Sequence, residues 1–478
     1  METKNKSLKV NAFLSTLKTL SNAIFPLITY PYISRVISVE GMGKISFSQS
    51  IVNYFLLIAG FGIYHFSVRE GAGIRDDKEN FNLFANRVFT INCIAALISF
   101  LMLMILLLLP TKIGEYKKLI FIYSISIILN PFSVEWLYTV YEDFGYITAR
   151  SILVHLISLC LTFLFVKERG DVYLYCVFMV TAASLGSLFN YVHSKKYVVL
   201  KLVKETGWKD YKLSLFIFFV NSLATTIYIN SDTTLLGLMC SDWNVGLYGA
   251  ATKIYLVVKQ IFNSVVAVTI PRLAYLRHRN PEEFLSLIRI MVSLAAFFIF
   301  PAALGITIIR NELILLIAGQ EYIEAAIPLS ILAVAIICAI YANIFVNGLL
   351  LCMGMEKYVL KITATSAFLN LFLNIFLIPI FQETGAAITT VIAEGVVVIM
   401  AVSYSKKELK GLFDSRAIVK SLIGCFIMYL VSILIKNALT EVNYVLRLIV
   451  IVCVCAFVYI VVEITAKNEI ISKIKLLC

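Results

Sequence analysis

Apolar runs of about 20 residues, the length of a helix that crosses a bilayer, recur from one end of the chain to the other with short polar gaps between them. They predict spans at 10–33, 45–67, 84–110, 118–140, 146–166, 172–193, 213–238, 245–271, 285–309, 325–350, 358–380, 384–404, 418–436 and 444–465. That is fourteen crossings, with the last pair least tied to the rest and twelve as the competing count. The pattern predicts an all-α polytopic membrane protein. Composition strengthens this, since 60% of the 478 residues are hydrophobic and 15% are charged. Mean hydropathy is +0.90, more apolar surface than a soluble domain can hide.

Positive charge orients the spans. Counted in and beside alternate gaps, 28 Lys/Arg fall on the side of the N-terminus and 10 on the other, which predicts both termini in the cytoplasm. The same asymmetry explains the net charge of +12 without nucleic acid. Lys195, Lys196, Lys201, Lys204, Lys209 and Lys212 lie beside spans, where anionic lipid headgroups are the expected contact, and no soluble basic module is present. Lys4, Lys6 and Lys9 precede the first apolar run without a following small-x-small cleavage site, so that run is expected to stay as a span. The ten cysteines are scattered and show no metal-ligand spacing, which predicts neither a disulfide framework nor a metal site.

The gaps exclude most chemistry. The longest, Lys195 to Lys212, is too short for a folded catalytic domain. There is no phosphate-binding Gly-rich loop, no His-Glu-x-x-His pattern and no nucleophile–base pair. His65, His155, His193 and His278 stand alone and are expected to pack or to sit at the lipid interface. The expectation is therefore no enzyme, no catalytic residue and no cofactor, but a transporter running on an ion gradient, H+ or Na+.

Polar residues inside the spans carry what function the sequence reveals. At 100° per residue, Asn11, Ser15, Lys18, Asn22 and Thr29 on span 1 fall within about 60° of one another. Asn221, Thr225, Tyr228 and Asp232 share a face of span 7; Thr363, Asn370 and Asn374 align on span 11; Ser46, Gln49, Ser50 and Asn53 align on span 2. On span 8, Lys253, Gln260 and Ser264 align, while Lys259 points about 120° away. Each stripe either hydrogen-bonds a neighbouring helix or lines a wet cavity, and a stripe with a lysine favours the cavity. A charge at mid-bilayer costs about 2.5–3.5 kcal/mol on insertion scales, so Lys18, Lys253 and Lys259 suggest a cavity that receives an anion. The intramembrane acids Glu135, Asp232 and Glu394 are each either a partner for such a lysine or a site for H+ or Na+, and Lys259 is the lysine best suited to a structural pair. Helix breakers at Pro26, Pro31, Asn130-Pro131, Pro301 and Pro328 are hinges or static kinks.

The chain also echoes itself. Gly43-Lys44-Ile45-Ser46-Phe47-Ser48-Gln49-Ser50-Ile51 opens span 2, and Gly246-Leu247-Tyr248-Gly249-Ala250-Ala251-Thr252-Lys253-Ile254 opens span 8, with the same order of glycine and small residues. The offset fits two six-span halves: an N-lobe over 1–194, a basic cytoplasmic linker over 195–212 and a C-lobe over 213–410, followed by spans 13–14 and a tail over 411–478.

Tyr30-Pro31-Tyr32-Ile33-Ser34-Arg35-Val36-Ile37, Glu40-Gly41-Met42-Gly43, Phe61-Gly62-Ile63 and Arg69-Glu70 resemble the start of bacterial polysaccharide repeat-unit flippases of the Wzx type. These belong to the multidrug/oligosaccharidyl-lipid/polysaccharide exporter superfamily. Val245-Gly246-Leu247-Tyr248 with Lys253-Ile254, and Gly385-Ala386-Ala387 before Glu394, continue the resemblance over nearly the whole chain. It implies two pseudo-symmetric six-helix lobes forming a V-shaped central cleft, with two further C-terminal helices, in the bacterial cytoplasmic membrane. It implies transfer of undecaprenyl-diphosphate-linked oligosaccharide to the outer leaflet for O-antigen or capsule synthesis, alongside a polymerase and glycosyltransferases. Lys18, Arg35, Arg69, Arg87, Arg150 and Lys253 are the cations it suggests for the diphosphate, Arg35 and Arg69 from motif positions and the others from depth and charge. Asn11, Asn22, Gln49, Asn53, Asn221, Gln260, Asn370 and Asn374 are the expected polar lining. The rival reading is a drug or cation antiporter of the related multidrug-extrusion branch, which calls for an acidic, aromatic pocket. A scaffold without transport is the third, and it gains little from polar stripes at membrane depth.

Overall fold

The computed structural model describes residues 8–406 and 415–470. Lys4 and Lys6, the connection 407–414 and the tail after 470 lie outside the described residues. Among those described, the chain is built from helices: α1 (Leu8–Val36), α2 (Val39–Gly60), α3 (Ile63–Ile74), α4 (Lys78–Leu108), α5 (Lys117–Leu129), α6 (Glu135–Val140), α7 (Phe144–Phe165), α8 (Val172–Ser194), α9 (Trp208–Met239), α10 (Asp242–Arg279), α11 (Pro281–Ile308), α12 (Arg310–Ile317), α13 (Ala326–Asn343), α14 (Glu356–Tyr404), α15 (Ser415–Ala438) and α16 (Tyr444–Thr465). Among the described residues, eleven helical stretches are long and apolar enough to cross a bilayer. α1 and the broken fourth span add two crossings, and α14 contains two rather than one, because Gln382 (φ 53, ψ −130) interrupts it. The count is thereby consistent with the fourteen predicted spans.

Span 4 is broken where the sequence places Asn130-Pro131. α5 ends at Leu129, a 3₁₀ turn covers Asn130–Phe132, and Val134 takes a left-handed φ of 33° before α6 starts at Glu135. A β-branched residue tolerates that conformation poorly, so the surrounding packing must impose it. Span 2 bends too. Phe61 (φ 40) and Gly62 (φ 72) are both left-handed, and a side chain on Gly62 would press on the α9 backbone at Leu215 and Phe219.

Contacts divide the chain into two compact units, Met1–Gly246 and Leu247–Cys478. In the first, α1 packs on α7, α2 lies against α4, α5 and α9, and α8 lies against α5 and α7. One of its buried clusters joins Phe66, Phe81, Phe84, Trp136 and Tyr138 at the ends of α3, α4 and α6. The segment after α8 is an ordered strap on this cluster. Val198 and Leu200 point into it, while the Lys201 and Val203 amides donate to Asn86 Oδ1 (2.7 Å) and Thr90 Oγ1 (3.0 Å) of α4. Asp77 caps α4, accepting from the Asn80 amide at 3.1 Å, and that bond holds its carboxyl below the usual carboxylate range.

The echoed segments meet within this unit. A Cβ on Gly43 would overlap the carbonyl oxygen of Asp242, and a Cβ on Gly246 would overlap that of Val39. Gly43 corresponds to Gly246 in the echo, and Val39 to Asp242, so the contact is reciprocal: the first turns of α2 and α10 cross on each other's glycines. Tyr116 secures the joint, donating to Asp242 Oδ1 at 2.6 Å.

In the second unit α11 packs on α13 and α15, α13 on α14, and α15 on α16. The C-terminal pair is tied on by Tyr459, whose hydroxyl donates to the Phe297 carbonyl at 2.8 Å. A buried Glu312 on α12 reinforces it, with Arg447 of α16 at 3.1 Å and Lys436 of α15 at 3.9 Å.

The reciprocal glycine joint makes a stability prediction. Gly43→Ala and Gly246→Ala are each expected to cost about 1–3 kcal/mol through overpacking. Gly73→Ala, with nothing within 4 Å of its Cβ, should be neutral. Thermal unfolding in detergent checks this, and equal melting of Gly43→Ala and Gly73→Ala would contradict the joint.

Candidate functional site

Three elements of the first unit bring together charged residues that the sequence places inside predicted spans. Glu135 is the first residue of α6, presented by the break in span 4. Its Oε2 receives the Lys18 ammonium of α1 at 3.0 Å, and its Oε1 receives Arg150 Nη2 of α7 at 2.6 Å. One carboxylate thus serves two cations, and the cluster keeps a net positive charge. Lys18 and Glu135 are 26% and 32% exposed and Arg150 12%, so the cluster is only partly buried. The Arg150 guanidinium packs over Gly186 of α8, where an added Cβ would lie 2.8 Å from its Nη1. Its Nε is buried without a hydrogen-bond partner among the described residues.

Polar contacts carry this seam along α1. Asn22 accepts from Ser151 (3.2 Å), Thr148 donates to the Leu14 carbonyl (2.9 Å), and Phe25 stacks on His155 at 5.0 Å. Asn11 is buried and donates to Glu142 at 3.2 Å, whose other oxygen holds Arg75 at 3.1 Å. Arg75 and Glu142 form a second ion pair that the sequence reading did not single out. Both are polar gap residues there, with nothing to mark the fold that joins them.

The other candidate cations lie apart from this cluster. Arg35 closes α1 and donates to the Pro31 carbonyl, exposed at the helix end. Arg69 bridges α3 to α9, with Ser214 Oγ at 3.3 Å and the Phe218 ring 5.1 Å beneath it, beside Glu70 at 2.7 Å. Arg87 lies half-buried on α4 against Gly207, its Nε without a partner among the described residues. On α2 and α9, Asn53 donates to Asn230 at 3.0 Å, and Ser50, Thr234 and Tyr54 continue that seam. Gln49 and Asn221 are exposed, and Asp232 is buried on α9.

In the second unit Lys253 and Lys259 have opposite surroundings. Lys259 meets Glu394 Oε1 at 2.6 Å, and Tyr255 donates to the same oxygen at 3.1 Å, with Glu394 only 6% exposed. Lys253 is exposed, with no ion pair or hydrogen bond among the described residues, and Gln260 is half-buried. Asn370 and Asn374 are buried within α14, where Asn374 takes Thr389 Oγ1 at 2.5 Å and donates to Asn370 at 3.2 Å. They join the two arms of α14 and do not face open space. A chain of asparagines escaped the sequence reading: Asn347 donates to Asn343 (2.6 Å), and Asn343 to Asn263 (2.7 Å), at the π-helical turn Ile344–Leu350. Asn343 and Asn347 are four apart inside span 10, a helical spacing that would have flagged them.

Removing one member of a buried pair strands the other charge. Glu394→Gln is expected to lower stability by about 1–3 kcal/mol, between membrane-helix hydrogen bonds and fully buried ion pairs. Replacing Lys259 and Glu394 together by methionines should recover part of that loss. Thermal unfolding of the three proteins checks this, and an unchanged Glu394→Gln would contradict the structural role of the pair.

Comparison with known proteins places this geometry. A protein of Escherichia coli (strain K12) named "Putative O-antigen transporter" is 24% identical over 407 residues, covering 82% of this chain and 95% of that one. "Probable low-salt glycan biosynthesis flippase Agl15" of Haloferax volcanii is 26% identical over 187 residues, 39% of each chain. A solved structure described as "Lipid II flippase MurJ, inward closed conformation" matches with a TM-score of 0.75 at 16% identity, over 96% of this chain and 100% of that one, a likeness of fold. The family described as "Polysaccharide biosynthesis protein" matches residues 8–277, more than half of the chain. With that match, this chain belongs to the polysaccharide biosynthesis protein family.

Proposed function

We propose that the chain is a flippase that moves an undecaprenyl-diphosphate-linked oligosaccharide repeat from the cytoplasmic to the outer leaflet by alternating access, for surface polysaccharide synthesis. The observation that carries this is the Lys18–Glu135–Arg150 cluster, two cations on one carboxylate at membrane depth. A diphosphate cannot cross hydrocarbon bare, and lysine and arginine neutralise it through charge-assisted hydrogen bonds. The printed names of the relatives, an O-antigen transporter and a glycan flippase, support the same substrate class. A carrier of cationic drugs needs an acidic site, yet Glu135 sits between two cations in a cluster of net positive charge and Glu394 is buried against Lys259.

The protein makes and breaks no bond. Its work is to lower the barrier to headgroup transfer, with the cations taking the diphosphate, polar stripes hydrating the sugar and the polyprenyl tail remaining in lipid. Lys253, exposed on α10, is the second-unit cation for this role. The reading places both termini in the cytoplasm of a bacterium, with a polymerase and glycosyltransferases as pathway partners; the Lys/Arg asymmetry supports that orientation.

Deletion of the protein should stop surface glycan and leave lipid-linked repeats on the cytoplasmic leaflet, whereas normal outer-leaflet repeats would refute the reading. Lys18→Ala and Lys253→Ala should each cut flux about tenfold, the scale of one lost charge-assisted contact, with membrane insertion intact. Normal flux in both variants would make these lysines structural. Coupling to H+ or Na+ belongs to the same proposal, with Asp232 as the candidate carboxylate, since Glu394 is closed by Lys259. Flux measured with each gradient collapsed separately should fall for one of them, and indifference to both removes that role.

A further inference from the structure

We propose that Glu135 is a displaceable counter-anion: its carboxylate occupies the seat between Lys18 and Arg150 that the substrate's diphosphate takes in its turn. This rests on the flippase reading and deepens it. The two oxygens of Glu135 each hold one cation, 3.0 Å from Lys18 and 2.6 Å from Arg150, as two phosphate oxygens would. The seat is open, with Glu135 32% exposed, whereas the carboxylate of the Lys259–Glu394 pair is 6% exposed and also takes a tyrosine hydroxyl. Of these two intramembrane carboxylates, Glu135 is the reachable one.

Arg150 is incompletely satisfied by Glu135. The pairing engages Nη2 and leaves the buried Nε without a partner among the described residues. A guanidinium presents Nε and Nη2 as a fork that a phosphate can take bidentately. The guanidinium also packs closely over Gly186 of α8, so one of its faces lies against a helix while its anion changes.

Glu135 is mounted to move. It follows Val134, whose φ of 33° is strained for a β-branched residue, and precedes a helix of six residues rather than sitting inside a continuous span. The carboxylate can swing away without unwinding a membrane helix. An incoming diphosphate brings more negative charge to the two cations than one carboxylate does, and then repels the carboxylate it replaces. Neither cation is left bare in hydrocarbon at any stage. The exchange weakens net binding and speeds release, which a carrier needs on its far side.

The test uses the full-length chain in nanodiscs, titrated with undecaprenyl diphosphate, with equilibrium affinity and dissociation rate both measured. Lys18→Ala should weaken binding about tenfold, whereas Glu135→Gln should tighten it about fivefold and slow dissociation, because the competing anion is gone. Glu135→Asp, which keeps the charge but draws it back, should tighten binding less. Glu135→Gln that binds as the parent or more weakly overturns the counter-anion role, and the Lys18→Ala result still stands for the reading beneath it. Equal binding by the parent and Lys18→Ala removes that reading and this inference together. Failure of both Glu135 variants to yield folded protein would make Glu135 a packing residue and also overturn the proposal.

Discussion

Ionised groups at membrane depth are costly unless they meet an opposite charge, and the arrangement of this protein follows from how it meets that cost. Glu394 and Lys259 solve it by closure, buried against Tyr255. Glu135, Lys18 and Arg150 solve it differently, sharing one carboxylate between two cations in a partly open seat. The break in span 4 and the strained Val134 place that carboxylate, and the guanidinium packs over Gly186. Surplus positive charge held this way suits an anionic headgroup that visits and leaves.

Close backbone approach is the second constraint. The first turns of α2 and α10 touch through Gly43 and Gly246, each against a carbonyl of the other, and Gly237 makes room for the Phe47 ring between α9 and α2. Without a solvent-driven hydrophobic effect inside a bilayer, such small-residue contacts are a main source of helix association. The reciprocity of the glycines means that the sequence echo has a physical counterpart.

Much of this was legible before any coordinates. Apolar run length fixed the crossings because backbone groups in hydrocarbon must bond within their own helix, which leaves few alternatives for a 20-residue apolar stretch. Asn130-Pro131 announced the break in span 4, and Lys18, Arg150 and Glu135 were all recognisable as charges at depth. Which acid served which cation was not legible, since helical periodicity gives the face a residue occupies and not the helix it meets. Asn370 and Asn374 illustrate the limit. Their alignment with Thr363 suggested a lining, but their partner is Thr389 on the returning arm of α14. Asn343 and Asn347 share a helix face one turn apart, a signal passed over although it was present, and only the fold shows that they continue to Asn263.

The central claim is that this protein alone carries the anionic headgroup of a lipid-linked glycan across a bilayer. Reconstitution of the purified chain into vesicles containing an undecaprenyl-diphosphate-linked oligosaccharide, with an impermeant lectin reporting glycan on the outer face, tests it most directly. The account predicts that glycan initially confined to the inner leaflet becomes lectin-accessible far faster than in protein-free vesicles, with the diphosphate linkage intact. Exposure at the protein-free rate, under every imposed H+ or Na+ gradient, would contradict it.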